Sequence, residues 1–399
     1  MGVAIAVAIV LLIVGIAGGY FLGAGLNKSS SSTSKASLTE TGSSLLYPLF
    51  TRWAANYSAA TISAASTGSG TGQSDAELGL VNIGASDAYL ANASATNLIN
   101  TPVAISAQLI YYNLPGITAH LNLNGTILGM IYNGNITNWN DPLILAAQSP
   151  SVQTQLNGLS SETIHPIKRS DSSGDTFLFT SLCYMSWTAW PFGFSTSALT
   201  GDTIPTGATG NSGVVTALHT TTNSIGYVGI SYEASANGDG LSYAAVGDNM
   251  SNSAVGGVLP ANYILPSAQN ISYDANLGLT HLEFNQYQLA VSLILGGSEA
   301  GAITLVKGGG GTNPSAQSPT PYPIVNLEYA LIKTTPGGST VTSANLAATV
   351  TFIQWAISIG NFATSGGGTP SAWIDQVGFI PLTPEVSGYV MQELATVQP

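Results

Sequence analysis

The sequence predicts an α/β protein large enough for two domains, and three observations support that class. The chain has 399 residues, which suffices for two domains of ordinary size with a sizeable core. Segments with strand patterns alternate with segments with helix patterns, which favours α/β layers over a β-sandwich. Hydrophobic residues make up 45% of the chain and recur in runs throughout, so a disordered chain is a poor fit.

The charge composition excludes several functional classes. Charged residues make up 7% of the chain, against roughly 25% in a typical soluble domain, and the net charge is -12. A binder of nucleic-acid phosphates that relies on basic patches is therefore disfavoured. After residue 26 no apolar stretch is long enough for a membrane span, which argues against a multi-span membrane protein. One cysteine, Cys183, excludes an intrachain disulfide framework and a cysteine-based zinc site.

The first element is an apolar N-terminal segment. Residues 1–26 carry no charged side chain, and Val3 to Ala24 is almost wholly apolar. As a helix this stretch would span about 33 Å, which matches a bilayer core. Because a basic n-region is lacking, we favour an uncleaved transmembrane anchor over a cleaved secretory signal. Residues 27–37 (NKSSSSTSKAS) are then a flexible Ser/Thr-rich linker.

The elements of the main body follow from apolar periodicity and from the turn residues that bound each segment. Ser43 and Ser44 precede the periodic segment LLYPLFTRWAANY and predict its helix N-terminus. The further helices are predicted at Phe177–Trp187, Gly213–His219 and Ala344–Ile359. The strands are predicted at Thr61–Ala65, Val81–Ala85, Pro102–Tyr112, Ile225–Ile230 and Tyr322–Ile332. Residues 308–321 and 366–368 are predicted to be surface loops or crossings between lobes.

Two segments rich in glycine and hydroxyl groups are candidate anion sites. Thr41–Leu45 (TGSSL) places two serines at a helix start, where unpaired N–H groups and the helix dipole favour an anion. An ordinary N-cap is the alternative. Ser66–Gly72 (STGSGTG) could also cradle an oxyanion, or it could be a flexible loop. It lacks the Gly-Lys-Ser/Thr of a nucleotide-binding P-loop, so nucleotide binding is disfavoured.

The third candidate segment combines basic, acidic and hydroxyl side chains. Lys168–Thr176 (KRSDSSGDT) contains two of the five basic residues that follow residue 37, in a body with 19 acidic residues. Arg169 can fork onto two oxygens of an anion, and Asp171 could orient its guanidinium. A surface Arg–Asp pair over a capped helix is the alternative. Asp87, at the end of a predicted strand, would by default be a turn residue.

These segments resemble a known family. The resemblance rests on GSSLLYPLF, NIGASDAYL, VAISAQLIYYNLPG, KRSDSSGDTFLFT, GNSGVV and YPIVNLEYALI. Together they are similar to the phosphate-binding, substrate-binding subunit of the Pst-type phosphate ABC transporter. The similarity runs in order over residues 38–390, leaves out the N-terminal anchor, and is poor over residues 234–319.

The resemblance implies a two-lobed Venus-flytrap periplasmic-binding-protein fold of class II, each lobe a mixed sheet flanked by helices. Residues 38–110 and 320–399 would form lobe I, and residues 111–319 would form lobe II. The implied phosphate ligands are Ser43, Ser44, Leu45, Ser69, Asp87, Arg169, Ser173, Gly174 and Asp175. Asp171 would hold Arg169. Many family members have Thr where Asp175 stands, which departs from the common pattern.

The function so implied is extracytoplasmic binding of inorganic phosphate and its delivery to the permease and ATPase subunits of an ABC transporter. The expected protein is not an enzyme, needs no cofactor or metal, and does not bind nucleic acid. The alternative is a structural or adhesive cell-surface protein that kept the fold and lost binding. A phosphate-ester hydrolase is disfavoured because the four histidines are scattered and no G-x-S-x-G motif occurs. Asp87, which can only accept a proton, disfavours sulfate and molybdate as ligands and leaves arsenate open.

Seven N-x-S/T sequons would permit glycosylation of a chain outside the cytoplasm. They lie at Asn27, Asn56, Asn92, Asn124, Asn135, Asn249 and Asn270.

Overall fold

The computed structural model describes residues 35–91, 93–159, 163–247, 263–272, 322–358 and 370–399. From Ala36 onward the described residues form one compact unit. The predicted anchor at 1–26 and the predicted loops at 308–321 and 366–368 lie outside the described residues. Among the helices of the described part, none is both long and apolar enough to cross a membrane.

The described strands, numbered in chain order, are β1 Ala36–Gly42, β2 Ala60–Ser66, β3 Ile83–Ser86, β4 Leu98–Asn113, β5 Asn122–Leu123, β6 His165–Arg169, β7 Thr206–Ala208, β8 Ser224–Gly229, β9 Ser242–Tyr243, β10 Ala245–Gly247, β11 Tyr263–Ile264 and β12 Val325–Lys333. The described α-helices are α1 Tyr47–Asn56, α2 Ser69–Leu78, α3 Gly125–Tyr132, α4 Pro142–Ala146, α5 Pro150–Asn157, α6 Gly174–Ser186, α7 Gly210–Thr220, α8 Glu233–Gly238, α9 Ser343–Ala356, α10 Pro370–Gln376 and α11 Pro384–Leu394.

Most of these strands join one mixed sheet, in the order β2-β1-β3-β12-β4-β8-β6-β7, with β9 pairing on β4. Pairs β1–β2 and β1–β3 are parallel, as are β6–β7 and β6–β8. The strands β12 and β4 run antiparallel to their neighbours in the middle. Strands β5, β10 and β11 form a separate small sheet. The predicted α/β class, with a mixed sheet and flanking helices, is confirmed.

Strand β4 connects the two parallel groups. It pairs with β12 from Leu98 to Ala107 and with β8 from Gln108 to Asn113. A long, almost wholly buried strand therefore passes from one group to the other, as its apolar sequence LINTPVAISAQLIYYN allows. The predicted lobe boundaries at residues 110 and 320 stay predictions.

The pairing of β4 with β12 contains a register shift. Glu328 pairs with Ala104, whereas the next residue, Tyr329, pairs with Pro102. Proline has no N–H to donate to a ladder, so a bulge is the expected accommodation of Pro102 in a central strand. Such bulges re-aim side chains locally, and this one lies beside Glu328.

In each parallel group a helix begins shortly after a strand ends. Helix α1 follows β1, α2 follows β2, α6 follows β6 and α7 follows β7. The carboxyl ends of parallel strands share one edge of a sheet, and ligands of open α/β sheets bind outside that edge. The sheet topology therefore places the segments after these strands where a ligand site is expected.

Two helix starts differ from the sequence prediction. Helix α1 begins at Tyr47, after a turn in which the Ser43 hydroxyl accepts a bond from the N–H of Leu46 at 3.0 Å. The segment Ser66–Gly72, predicted as a turn or loop, contains the start of α2 at Ser69. Its glycines are needed for close packing, because a Cβ at Gly72 would lie 2.5 Å from the carbonyl oxygen of Ala85.

The asparagine of one predicted sequon has a structural role. Asn124 is buried, and its side chain caps α3 by accepting a bond from the N–H of Ile127 at 2.9 Å. A glycan on this side chain would conflict with its burial and with its capping bond.

Candidate binding site

The structure brings the predicted site residues together where strands end and helices begin. Residues Ser43–Leu45 follow β1, Ser69 starts α2, Asp87 follows β3, and Arg169 ends β6. Ser173 is the N-cap of α6, and its hydroxyl accepts a bond from the N–H of Asp175 at 3.1 Å. These residues come from both parallel strand groups and are almost completely buried.

Arg169 is fixed by two carboxylates. Its Nε and Nη2 donate to the two oxygens of Asp171, with Nε at 2.8 Å from Oδ1, so the pair is bidentate. Its Nη1 donates to Oδ2 of Asp175 at 2.7 Å. Arginine has five N–H donors. Among the described residues these carboxylates take three of them, and two N–H groups remain for a ligand.

The pKa of Asp171 reports the strength of that pair. Burial alone would raise it, but the hydrogen bonds and charge of Arg169 prevail, helped by the N–H of Gly210 at 3.0 Å. The pKa of the carboxyl therefore lies below its usual value, and Asp171 is ionised. Asp171 orients the guanidinium, as the two-residue spacing predicted.

Asp175 lies deeper and behaves differently. Burial and then the charge of Asp87 raise its pKa to about 6, against the opposing effects of Arg169, Asn211 and Gln108. Its Oδ2 accepts from both Arg169 and Asn211 at 2.7 Å, and Oδ1 accepts from Gln108 at 3.3 Å. Oδ2 is thus fully used, and only Oδ1 retains room to accept a proton from a ligand.

Asn211, at the start of α7, is a site residue that the sequence reading did not single out. Its Nδ2 donates to Oδ2 of Asp175 and, at 3.0 Å, to the hydroxyl of Ser44. Its Oδ1 accepts from the N–H of Gly229 at 2.8 Å. The side chain is fully buried and ties the segment after β1 to the segments of the other strand group.

The contacts of Ser44 leave its hydroxyl proton free for a ligand. The oxygen accepts from the N–H of Asn211 at 3.1 Å and from its Nδ2. A hydroxyl has two acceptor positions and one proton, so with both positions used Ser44 must act as a donor. Within the described part of the chain, no acceptor for that proton and no partner for the N–H groups of Ser44 and Leu45 is found.

Ser43 differs from the expectation that it binds the ligand directly. Its N–H donates to the carbonyl of Ala85 at 2.9 Å, and its hydroxyl donates to Oδ1 of Asp87. Both donors are therefore used within the protein. The contacts indicate that Ser43 holds Asp87 in position.

Asp87 is a buried acceptor surrounded by donors. Its Oδ2 lies 3.3 Å from the hydroxyl of Ser69, and its carbonyl accepts from Asn326 at 2.5 Å. Burial raises its pKa, while hydrogen bonds from Glu328, Ser43 and Ser69 and the charge of Arg169 oppose the rise. The polar side chains here that sequence reasoning missed are Gln108, Asn211, Asn326 and Glu328.

Gly174 allows the two strand groups to approach. A Cβ at this position would lie 2.4 Å from the Cβ of Asp87, closer than side chains can pack. Gly174 is also the first residue of α6, whose N–H groups there have no intrahelical partner. The N-termini of α2, α6 and α7 all face this site, and helix N-termini favour negative charge.

The arrangement can hold an oxyanion that carries a proton. Hydroxyl and N–H donors converge with Arg169, and the buried acceptor Asp87 lies among them. In the described residues, no cluster of His, Cys, Asp and Glu has the spacing of a metal site. A strand-edge site of this kind, on a mixed α/β sheet and lined by donors for an anion, is the kind of site found in α/β proteins that bind small ligands.

Comparisons with known proteins agree with that class. A family model described as a PBP superfamily domain matches residues 27–358. The phosphate-binding protein PstS of Pasteurella multocida is 31% identical over 258 residues, which cover 62% of this chain and 70% of that protein. The PstS of Xylella fastidiosa is 32% identical over 212 residues, or 51% of this chain and 56% of that protein. The chain thus spans little more than half the length of the latter relative.

A solved structure shows the same fold. The phosphate-binding protein from Stenotrophomonas maltophilia superposes with a TM-score of 0.57 at 20% identity, over 90% of this chain and 94% of that one. The chain belongs to the PBP superfamily and, within it, to the family of the phosphate-binding protein PstS. The resemblance stated from the sequence is confirmed.

Proposed function

We propose that the protein binds inorganic phosphate outside the cytoplasm and delivers it to the permease of an ABC transporter. The observation that carries the proposal is the joint placement of Arg169, unpaired hydroxyl and N–H donors, and the buried acceptor Asp87. Its relatives are named phosphate-binding proteins, which supports the same ligand. The protein acts as a receptor and catalyses no reaction.

The donors explain how an anion is held in a chain with a net charge of -12. The proposed ligand receives bonds from two N–H groups of Arg169, the hydroxyls of Ser44 and Ser173, and the N–H groups of Leu45 and Gly174. The hydroxyl of Ser69 donates its proton to Asp87 and holds that carboxylate beside the ligand. Charge-assisted bonds of this kind are the strongest that a protein offers an oxyanion. The local field of helix N-termini and Arg169 therefore overcomes the negative surface.

The acceptor explains why the ligand is phosphate. Asp87 needs a proton from the ligand, which protonated phosphate supplies and sulfate does not. A sulfate ion would face a buried carboxylate without a partner, and such unpaired buried groups discriminate by roughly 10⁴ or more. Arsenate carries the same proton and is expected to compete.

The route of delivery follows from the family. We infer that the part after residue 37 works extracytoplasmically and that permease and ATPase subunits receive the phosphate. Residues 1–26 anchor it to the membrane in this proposal. Lobe I (38–110 and 320–399) and lobe II (111–319) close on the ion about β4 and β12 and expel water.

Calorimetric titration with phosphate tests the proposal on two matched arginine variants. Lys in place of Arg169 cannot bond two oxygens and hold Asp171 at once, so Arg169→Lys is expected to weaken binding about 10- to 100-fold. Arg52→Lys, at an exposed arginine bonded to Gln376, serves as the control and keeps the wild-type affinity. Equal affinities for the two variants would contradict the assigned site. No heat from folded, phosphate-stripped wild type would favour the non-binding cell-surface alternative.

A further inference from the structure

Glu328 lies beside Asp87 in the middle of the sheet. In the antiparallel pairing of β12 with β3, Tyr329 stands opposite Ser86. One step further along each strand brings Glu328 opposite Asp87, and their side chains are within hydrogen-bond reach. Both are completely buried, and the bulge of the β4–β12 pair falls at Glu328.

Of the two carboxyl oxygens of Glu328, Oε1 accepts hydrogen bonds from described residues and Oε2 does not. Its Oε1 accepts from the hydroxyl of Ser106 and from Nδ2 of Asn326 at 3.2 Å. Its Oε2 is buried and has no donor among the described residues. An ionised carboxylate can only accept, so an ionised Glu328 would bury an unpartnered charged oxygen next to a second carboxyl.

A proton on Oε2 would give this oxygen a hydrogen-bonding role and would remove the negative charge beside Asp87. The oxygen then becomes a donor, and the acceptor within its reach is Asp87. Two carboxyl groups in contact in a buried site cannot both ionise without severe repulsion. Asp87 receives donors from Ser43 and Ser69, which favour its ionised form, so the proton belongs to Glu328.

We propose that Glu328 is held protonated and donates a hydrogen bond to Asp87, and that it thereby positions Asp87 to accept the proton of bound phosphate. This inference rests on the proposed function and deepens it. Ser43, Ser69 and Glu328 together use three of the about four acceptor positions of the Asp87 carboxylate, leaving one for the ligand. Glu328 is a positioning residue and does not itself touch the ligand.

The charges around Glu328 support this assignment. Burial and then the charge of Asp87 raise its pKa well above the ordinary value, and the bonds from Ser106 and Asn326 oppose the rise. Burial, with the charge of Glu328 second, raises the pKa of the adjacent Tyr329, which therefore stays neutral. The positive charge of Arg169 acts on Asp87 and favours the ionised form of that partner.

Phosphate titration of three variants at neutral pH tests the proposal. In Glu328→Gln the amide can donate to Asp87 while its oxygen accepts from Ser106, so the affinity is expected within threefold of wild type. Glu328→Met removes the donor and is expected to weaken phosphate binding at least tenfold. Glu40→Gln is the matched control, since Glu40 is also buried in a strand of this sheet and burial raises its pKa. It should leave the affinity unchanged.

The affinities of these variants distinguish a protonated from an ionised Glu328. If Glu328 were ionised, Glu328→Gln would remove a negative charge beside the anion and tighten phosphate binding tenfold or more, which would overturn the proposal. A Glu328→Met variant that binds within threefold of wild type would equally overturn the positioning role.

An independent readout uses unfolding of the phosphate-free protein. Above about pH 5 the Glu328 carboxyl of the unfolded chain has lost its proton, whereas a protonated Glu328 of the folded protein keeps it. The unfolding equilibrium constant of the wild type should therefore rise tenfold per pH unit in this range, relative to that of Glu328→Gln. Identical pH slopes for the two proteins would refute a protonated Glu328. If wild type does not bind phosphate at all, the proposed function fails, and this comparison still decides the protonation state.

Discussion

Opposing influences on the pKa of Asp175 determine whether the free energy of unfolding rises or falls with pH. Its ion pair with Arg169 favours the charged form, while burial and the neighbouring Asp87 favour the neutral form and raise the pKa to about 6. Relative to the ordinary value of about 3.9, this rise of about 2 units corresponds to about 3 kcal/mol of differential stability. Replacement by Asn removes the titration while keeping the shape.

The direction of this pH dependence follows from the protons that Asp175 binds in the folded and the unfolded protein. Between about pH 4 and pH 6 the unfolded carboxyl has released its proton and the folded one still holds it. The free energy of unfolding of the wild type therefore falls with rising pH. Relative to Asp175→Asn, the wild type should lose about 2 kcal/mol between pH 4 and pH 7, most of it by about pH 6.

Urea-induced unfolding of phosphate-stripped proteins at pH 4, 5, 6 and 7 measures this difference. Asp239→Asn, at an exposed carboxylate after α8, controls for the loss of one acidic side chain. A wild type that instead gains stability over Asp175→Asn as the pH rises would mean that the Arg169 pair dominates. That result would show that Asp175 is not held partly protonated by burial and by Asp87.

Three further substitutions test separate parts of the site. Asp87→Asn can donate where Asp87 only accepts, so the ratio of phosphate to sulfate affinity should fall at least 100-fold in competition titrations; an unchanged ratio would remove Asp87 from ligand selection. Ser44→Ala loses one bond to a charged ligand, worth about 1.5–3 kcal/mol, and should weaken phosphate binding roughly 10- to 150-fold in calorimetry; wild-type affinity would show that its proton goes elsewhere. Gly174→Ala places a Cβ 2.4 Å from that of Asp87 and should abolish binding, whereas Gly238→Ala, with open space around the added methyl, should bind normally. Equal binding by both glycine variants would contradict the close approach at α6.

The parts of the site formed by residues close together in the sequence could be predicted. Arg169 and Asp171 are two residues apart, and that spacing indicated that Asp171 could orient the guanidinium. That the fork of Arg169 is taken by Asp171 itself was not predicted. Asp87 was recognisable only as a strand-terminal residue, and the family resemblance gave it a role. The start of α2 was missed because the hydroxyl and glycine residues of STGSGTG are typical of turns, and tight packing decides the helix there.

The partners that set the chemistry come from distant parts of the chain. Asn211 meets Ser44 across 167 residues, and Glu328 meets Ser106 across 222. No spacing rule connects such pairs, since the sheet order brings them together. The strand prediction at Tyr322–Ile332 did contain a signal: Asn326 and Glu328 are polar residues two apart in an otherwise apolar strand, so they share one face.

In the proposed function this site selects phosphate because Asp87 accepts a proton from the ligand. Calorimetric titration of the phosphate-stripped protein with phosphate and then with sulfate, at neutral pH and equal ionic strength, tests it most directly. We expect one phosphate ion bound per chain, and sulfate weaker by roughly 10⁴ or undetected. Sulfate binding within tenfold of phosphate would contradict this role of Asp87.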